Sequence, residues 1–258
     1  MATSGTPSKS SASAPRSAGT GPGAETGART LGIDVGGSHI KAAVLDRAGG
    51  PLDKPARIDT PVGSPPEEIV DAIVDLVSPL APFDRISVGF PGVVRDGVVL
   101  TAPNLGNEGW QRFDLAGALT ARLGKPTRVL NDADMQGLGA IRGRGLEMVI
   151  TLGTGFGTGL YLDGRLLPHL EIAHLRFRKG ETYDERLGNA ARKKVGDKGW
   201  SRRVEKAIAD MRRLINFDHL YVGGGNAKRL TVWFEPNPDI SIVSNEAGID
   251  GGAHAWRD

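Results

Sequence analysis

The sequence predicts a two-lobed α/β fold with a cleft between the lobes. A strand, a glycine-rich turn and a second strand occur at residues 30–46, and the same pattern occurs again at 147–163. Each hairpin continues into mixed strands and helices, so the chain carries a repeat of fold rather than of sequence. With 258 residues and 39% hydrophobic content, the chain can bury a large core. We expect lobes at 30–130 and 131–258, with a small-ligand site between them.

The N-terminal segment, residues 1–29, consists mainly of Ser, Ala, Gly, Thr and Pro. Such a segment buries too little apolar surface to offset the entropy cost of ordering it. It is predicted to be a disordered tail.

The elements of the first lobe follow from local patterns. A helix is predicted after Pro65–Pro66, because apolar residues from Ile69 to Val77 recur on one face. Gly124 is typical of a helix C-terminus, so 113–124 is predicted to be a helix. Strands are predicted at 30–35, 40–46, 55–59, 85–92, 98–100 and 126–130.

The second lobe begins with a helix in "NDADMQGLGAIRG" and continues into the second hairpin, which Asp163-Gly164 ends with a turn. A helix is predicted from Ser201 to Ile215 after a long polar and basic region. The stretch "HLYVGGG" (219–225) is predicted to be a strand leading into a glycine turn and a helix, and 245–256 to be a final helix.

Composition excludes several classes. The sequence has no cysteine, which rules out disulfides and any cysteine-ligated zinc site. A net charge of +2 does not indicate a nucleic-acid binder. No apolar run approaches the roughly 20 residues of a membrane span, and the N-terminus has no signal-like apolar stretch. A cytoplasmic protein without membrane partners is therefore expected.

The two hairpin turns carry groups that a plain hairpin does not need. Glycine removes the Cβ, so successive backbone N–H groups can approach an anion. Each turn could also be an ordinary hairpin, but together with a third glycine turn they favour phosphate binding. Neither turn has P-loop spacing, and the first lacks the βαβ context of a dinucleotide site. The candidate residues are Asp34, Gly36, Gly37, Ser38 and Lys41, then Thr154 and Gly155, then Gly223, Gly224 and Gly225.

The stretch "VLNDAD" (129–134) ends a strand and begins a helix. Asn131, Asp132 or Asp134 could serve only as a helix N-cap. A carboxylate at a strand end that faces a cleft is also well placed to accept a proton from a substrate hydroxyl. Polar groups suited to a polyol occur at Asn104, Glu171, His174 and Glu181.

These motifs together resemble the ROK family of sugar kinases, and within it the bacterial polyphosphate glucokinases. The stretches that carry the resemblance span about Thr30 to Trp256 and are "IDVGGSHIKAAVLD", "GFPGVV", "PNL", "LNDAD", "TLGTGFGTGLYLDGRLLPHLEIAH" and "LYVGGGNAK". The resemblance implies an actin/hexokinase-like (ribonuclease H-like) fold, phosphoryl transfer to the 6-hydroxyl of glucose, Mg²⁺ as cofactor, and a homodimer.

By matching motifs, the resemblance makes Asp132 the catalytic base. It places Asn104, Asn131, Glu171, His174 and Glu181 on the sugar. It places the residues of the first two turns around the transferred phosphate and Mg²⁺, with Asp34 holding the metal through water. Gly223, Gly224 and Gly225 would lie near the rest of the donor.

One departure concerns the E-x-G-H motif, in which Ala173 replaces the usual glycine. Many ROK proteins carry a cysteine-rich zinc site just after this motif, whereas the stretch "EIAHLRFRKGETYDERLG" has no cysteine. No zinc site is therefore expected, and His174 is left to bind sugar or to order its loop.

The phosphoryl donor is predicted from charge. Residues 176–213 contain thirteen Lys or Arg against six Asp or Glu, although the whole chain is only +2. Such a run is often just a solvated helix face, but a long polyanion needs an extended basic track. Polyphosphate is favoured as donor, with ATP left open as a second one. The track comprises Arg192, Lys193, Lys194, Lys198, Arg202 and Arg203, with Lys206 beside them.

Two alternatives remain at this point. The first is an ATP-dependent ROK hexokinase that acts on another sugar, such as mannose or N-acetylmannosamine. The second is a sugar-sensing regulator without turnover, which is disfavoured because residues 1–29 are expected to be too short and flexible for a DNA-reading helix-turn-helix.

Overall fold

The computed structural model describes residues 27–106, 109–231, 238–243 and 247–256. The predicted tail at 1–29 lies almost wholly outside the described residues, as does the start of the predicted final helix at 245–246.

The first part of the chain builds a five-stranded sheet with two helices on it. Its strands follow the order β3-β2-β1-β4-β8, in which β1–β2 and β2–β3 are antiparallel and β1–β4 and β4–β8 are parallel. A small three-stranded sheet, β5-β6-β7, lies between β4 and the second helix in sequence. In chain order the elements are β1 (Thr30–Val35), β2 (His39–Leu45), β3 (Ala56–Asp59), α1 (Pro66–Val77), β4 (Arg85–Phe90), β5 (Val94–Arg95), β6 (Val98–Val99), β7 (Phe113–Asp114), α2 (Leu115–Leu123) and β8 (Thr127–Asn131).

The second part repeats this topology. Its five-stranded sheet has the order β11-β10-β9-β14-β15, with two antiparallel pairs on one side of β9 and two parallel pairs on the other. The elements are α3 (Asp132–Ala140), β9 (Leu146–Leu152), β10 (Phe156–Leu162), β11 (Arg165–Leu166), β12 (Arg176–Arg178), β13 (Glu181–Thr182), α4 (Tyr183–Leu187), α5 (Asn189–Ile215), β14 (His219–Gly223), β15 (Ile240–Ile242) and α6 (Ala247–His254), with 3₁₀ turns at Ile172–His174 and Ala227–Arg229. The predicted fold-level repeat is thus present as two sheets of the same strand order.

Helices α3 and α6 pack against each other and join the two sheets. Helix α3 contacts β4 of the first sheet and β9 and β10 of the second, whereas α6 contacts β1, β2 and β4. Gly32 lets α6 approach β1, because a Cβ there would lie 2.6 Å from Ile249 Cγ2. Ser87 Oγ donates to Gly252 O at 2.7 Å, which fixes α6 on β4.

Trp256, two residues after the end of α6, adds a further anchor. Trp256 Nε1 donates to Ser87 Oγ at 2.8 Å, and the guanidinium groups of Arg85 and Arg128 lie 5.3 and 4.5 Å from its ring centroid. Residues 247–256 therefore cover the first sheet although they follow the second in sequence. The predicted lobe boundaries, 30–130 and 131–258, stay a prediction.

Three local predictions differ from the structure. Helix α5 begins at Asn189, twelve residues before the predicted start at Ser201, and it is kinked at Gly196, whose φ is 73°. Helix α2 begins at Leu115, because Asp114 caps it by accepting from Gly117 N. The predicted helix after "HLYVGGG" is only a 3₁₀ turn. Within the described ranges, no helix is long and apolar enough to cross a membrane.

Candidate active site

The first glycine turn joins β1 to β2. Strand pairing places Lys41 opposite Asp34, and Lys41 Nζ lies 3.6 Å from Asp34 Oδ2. The turn is braced from β3, since Thr60 Oγ1 donates to Gly36 O at 2.6 Å. Gly37 and Ser38 remain exposed. The turn thus presents bare backbone and a hydroxyl beside an acid–base pair.

Asn104 lies next to this turn. A side chain at Gly37 would place its Cβ 3.4 Å from Asn104 Cβ, and Asn104 itself is exposed. The structure therefore brings the predicted sugar-binding amide to the predicted phosphate turn.

The second glycine turn joins β9 to β10 and is held by its carbonyl groups. Asn189 N donates to Gly153 O at 3.1 Å and to Thr154 O at 3.0 Å, and Asn226 Nδ2 donates to Gly153 O at 2.9 Å. Asp184 Oδ1 accepts from Phe156 N at 2.8 Å. The start of α5 and the segment after β14 therefore fix the conformation of the turn, while Thr154 stays exposed.

The third glycine turn lies against the second. Gly224 has a φ of 87°, and a Cβ there would lie 2.5 Å from Leu152 N. Only glycine tolerates both the left-handed backbone and this close approach. Gly223 and Gly225 flank it, so the second and third turns form one surface at the carboxyl ends of β9 and β14.

Asp132 begins α3 at the carboxyl end of β8. Asn131 caps the helix, with Oδ1 accepting from Ala133 N at 2.9 Å and Nδ2 donating to Gly92 O at 3.1 Å. The N-cap interpretation therefore holds for Asn131, which is 8% exposed and uses both polar atoms on backbone. Its predicted contact with sugar stays a prediction.

The pKa of Asp132 is raised from 3.8 to about 7. Solvent reaches the residue, but the surrounding protein displaces much of its hydration, and the charge of Asp34 adds to the effect. A carboxylate with a pKa near the working pH is suited to general-base catalysis.

A chain of acidic and histidine side chains extends from α3 to the loop before β12. His169 Nδ1 lies 2.8 Å from Asp134 Oδ2, and His169 Nε2 lies 3.3 Å from Glu171 Oε1. His174 Nε2 lies 3.6 Å from the other oxygen of Glu171, and its side chain is 70% exposed. The structure brings the predicted Glu171 and His174 together.

The sequence did not indicate a role for His169 or its contact with Asp134. The sequence carried only a weak indication, since a histidine two residues before Glu171 does not match a spacing typical of a catalytic or binding motif. Burial alone would lower the pKa of His169, but hydrogen bonds to Asp134 and Glu171 raise it to about 10. The pKa of Glu171 is lowered, chiefly by the same hydrogen bond to His169.

Glu181 has a different environment. Its carboxylate accepts from Arg186 Nη1 at 2.6 Å, and Arg203 and Lys194 also favour its charged form. These partners belong to α4 and α5 rather than to the group around Asp132, and the predicted contact of Glu181 with sugar stays a prediction.

The predicted basic track lies along α5 but is not uniform. Arg192 is engaged, with Nη1 2.6 Å from Asp197 Oδ1 and Nε 3.2 Å from Asn189 Oδ1. Arg203 Nη1 donates to Arg186 O at 3.3 Å. The exposed members are Lys193, Lys194, Lys198, Arg202 and Lys206.

Comparison with known proteins decides the family. The ROK family profile matches residues 30–171, more than half of the chain. A polyphosphate glucokinase of Mycobacterium tuberculosis is 31% identical over 250 residues, which cover 91% of this chain and 93% of that protein. The chain belongs to the ROK family.

Two further proteins show how far the likeness extends. The inorganic polyphosphate/ATP-glucomannokinase of Arthrobacter sp. strain KM superposes with a TM-score of 0.76 at 32% identity, covering 88% of this chain and 97% of that one. An N-acetylmannosamine kinase of Escherichia coli is 37% identical over 145 residues, 54% of this chain and 49% of that protein. The predicted family and the predicted actin/hexokinase-like fold are confirmed.

Proposed function

We propose that this ROK protein transfers a phosphoryl group from inorganic polyphosphate, or from ATP, to the 6-hydroxyl of glucose. The observation that carries the proposal is the place of Asp132. Its carboxylate lies close enough to Asp34 and His169 for their charges to act on its pKa. Asp132 therefore lies within electrostatic reach of both the first glycine turn, through Asp34, and the acid–histidine group that includes Glu171, through His169. The likeness to polyphosphate glucokinases along nearly the whole chain supports the same reaction.

Each residue of the site has a separate role in the proposed reaction. Asp132 accepts the proton of the sugar hydroxyl as the hydroxyl oxygen attacks the donor phosphorus. The bond from that phosphorus to the bridging oxygen breaks, and the shortened polyphosphate, or ADP, leaves. Glu171 and Asn104 orient the sugar. The two glycine turns offer backbone N–H groups to the phosphate, and Lys41 adds a positive charge. Phosphoryl transfer depends mainly on such positioning and charge neutralisation.

The ligand atoms available at the first turn fit Mg²⁺. Asp34 supplies carboxylate oxygens in a setting where burial raises its pKa, so a cation nearby would favour its charged form. Across the described residues, no cluster of three or more His, Cys, Asp or Glu could hold a metal by itself. This suits Mg²⁺, which usually binds through one or two carboxylates, water and substrate phosphate. When bound, Mg²⁺ would neutralise charge on the donor phosphates, with Asp34 holding it through water.

A second candidate is phosphorylation of another sugar with ATP. The part-length likeness to an N-acetylmannosamine kinase, 37% identical over 145 residues, favours it. It keeps Asp132 as base and changes only the acceptor pocket or the donor.

A coupled assay separates these candidates. Nucleotide-free protein is given glucose, mannose or N-acetylmannosamine, each with purified polyphosphate or with ATP. Turnover of glucose with polyphosphate supports the proposal. Turnover only with ATP, or only with N-acetylmannosamine, supports the second candidate. The predicted homodimer is a separate proposal, which light scattering would test.

The activity should depend on pH through Asp132. A base acts in its ionised form, so kcat/KM for glucose should rise as pH rises through about 7 and level off above it. Below that pKa, the rate should fall about tenfold per pH unit. The profile is measured at saturating donor, once with polyphosphate and once with ATP. A pH dependence seen with only one donor reflects ionisation of that donor and not of Asp132. A profile that stays flat down to about pH 5 would contradict the assignment.

The basic track should affect KM for long polyphosphate but not KM for ATP or for glucose. Changing Lys193, Lys194 and Lys198 to alanine should raise KM for long polymer severalfold, most in dilute buffer, because exposed charges act over about 8 Å at physiological salt. KM for ATP and for glucose should change little, since these side chains are exposed and far in sequence from Asp132.

The matched variant is Arg192→Ala. Arg192 holds Asn189, whose backbone N–H binds the second phosphate turn, so this change should impair ATP and polyphosphate alike. If the triple lysine variant also impairs both donors equally, or neither, then the polymer path lies elsewhere.

A further inference from the structure

His169 occupies an unusual position between two acids from different elements. Both of its ring nitrogens face carboxylate oxygens, Asp134 Oδ2 at 2.8 Å and Glu171 Oε1 at 3.3 Å. Its side chain is 11% exposed and that of Asp134 is 3% exposed. The three side chains form a bridge from α3 to the residue that precedes the 3₁₀ turn at Ile172–His174.

Hydrogen-bond counting links the charge of His169 to the charges of its two acids. Burial raises the pKa of Asp134, whereas the hydrogen bond to His169 and the charge of His169 oppose that rise. A neutral imidazole donates from one nitrogen only, whereas an ionised carboxylate only accepts. Both contacts can be made with ionised acids only if His169 carries both protons. The second oxygen of Asp134, Oδ1, is buried without a hydrogen-bond partner among the described residues. This increases the free-energy cost of ionising Asp134, and an adjacent positive charge offsets that cost.

The bridge also connects the two halves of the proposed chemistry. Asp134 lies in the first turn of α3, two residues after Asp132, and its backbone carbonyl accepts from Tyr161 OH at 2.7 Å. Glu171 lies at the other end of the bridge. Since the base and the sugar-binding acid come from separate segments, their spacing depends on a connection such as this one.

We propose that His169 is a positioning residue, an imidazolium that holds Glu171 in place for the sugar relative to Asp132; this rests on the proposed function. His169 does not touch the reacting atoms and acts through Glu171. The exposed His174 contacts the same carboxylate from the other side but lacks the link to α3.

The charged groups around His169 favour its protonated form. Asp134 and Glu171 hold the pKa of His169 at about 10. Tyr161 OH donates to the backbone carbonyl of Asp134, and burial together with the charge of Asp134 raises the pKa of Tyr161. Asp132 faces the same group and is itself influenced by His169. Across the neutral range the bridge should therefore remain intact.

The kinetic test uses His169→Gln, which keeps polarity but cannot supply two protons in the same geometry. KM for glucose should rise at least about tenfold, because charge-assisted hydrogen bonds to the sugar-binding acid are lost. KM for polyphosphate and for ATP should stay within about twofold. The matched control is His219→Gln, another partly buried histidine, which bonds Ser241 on the second sheet and should leave both constants unchanged.

A second measurement does not depend on turnover. In protein labelled with ¹⁵N-histidine, both ring nitrogens of His169 should carry protons at about pH 8, a signal that disappears in His169→Gln. A neutral ring there, or an unchanged glucose KM in a variant with the melting temperature of the original protein, would overturn the proposal. Failure of the proposed function is distinct, since it would show as absent glucose turnover in the unaltered protein.

Discussion

Changing Asp132 to asparagine should reduce kcat by about 10²-fold or more while glucose still binds. The amide has nearly the shape of the carboxylate but cannot accept the proton of the attacking hydroxyl. The helix start should survive, because Asn131 accepts from Ala133 N and Asp134 N, and the amide oxygen of the new asparagine can still accept from Ala133 N, as Asp132 Oδ1 does at 2.8 Å. The loss should therefore be chemical rather than structural.

The measurement combines turnover in the coupled assay with glucose binding by calorimetry. The matched control is Asp59→Asn, whose side chain is 94% exposed and pairs only with His39 among its described contacts. It should retain full activity. Near-normal turnover in Asp132→Asn would remove Asp132 from the role of base.

Changing Glu171 to alanine should weaken glucose binding strongly. The carboxylate is ionised, aligned by His169 and His174, and available to accept from a sugar hydroxyl. Its removal leaves that hydroxyl unpaired, at a cost of roughly 1–3 kcal/mol, or about 5-fold to 150-fold in affinity. His169 would also lose one of its two carboxylate partners.

Calorimetry with glucose in the absence of donor measures this effect directly. Glu205→Ala, an exposed glutamate on α5, serves as control and should bind glucose normally. An affinity unchanged by Glu171→Ala would place the sugar elsewhere in the cleft.

The parts of the fold that depend on local pattern were predictable. Alternating or continuous apolar runs between glycine turns predicted both hairpins. The recurrence of this pattern predicted the two related sheets. The helix beginning near Pro66 followed from an apolar stripe, because Ile69 and Ile73 recur at helical spacing. The residues of the glycine turns and Asp132 could be proposed as site residues for the same reason, since each lies within a short motif.

The parts that depend on distant contacts were not predictable. Asp134 and His169 are 35 residues apart, and neither stands in a pattern that signals the other. The first turns of α5 were missed because their sequence is polar and interrupted by Gly196. Their contribution is a distant contact, in which Asn189 N donates to the carbonyl groups of the second glycine turn. Sequence also gave no sign that Arg192 supports that turn instead of standing free beside the lysines.

The packing of α6 on the first sheet affects how the chain can fold during synthesis. Gly32 and Leu45 emerge from the ribosome some two hundred residues before Ile249 and Gly252, which cover them. Until residue 254 has been made, one face of the first sheet has an uncovered apolar surface. The sheet can form early, but its lobe is completed only after the second lobe has been translated. Long-range contacts of this kind slow folding and prolong exposure to aggregation. A nascent chain arrested before residue 247 should therefore be the form most in need of a chaperone.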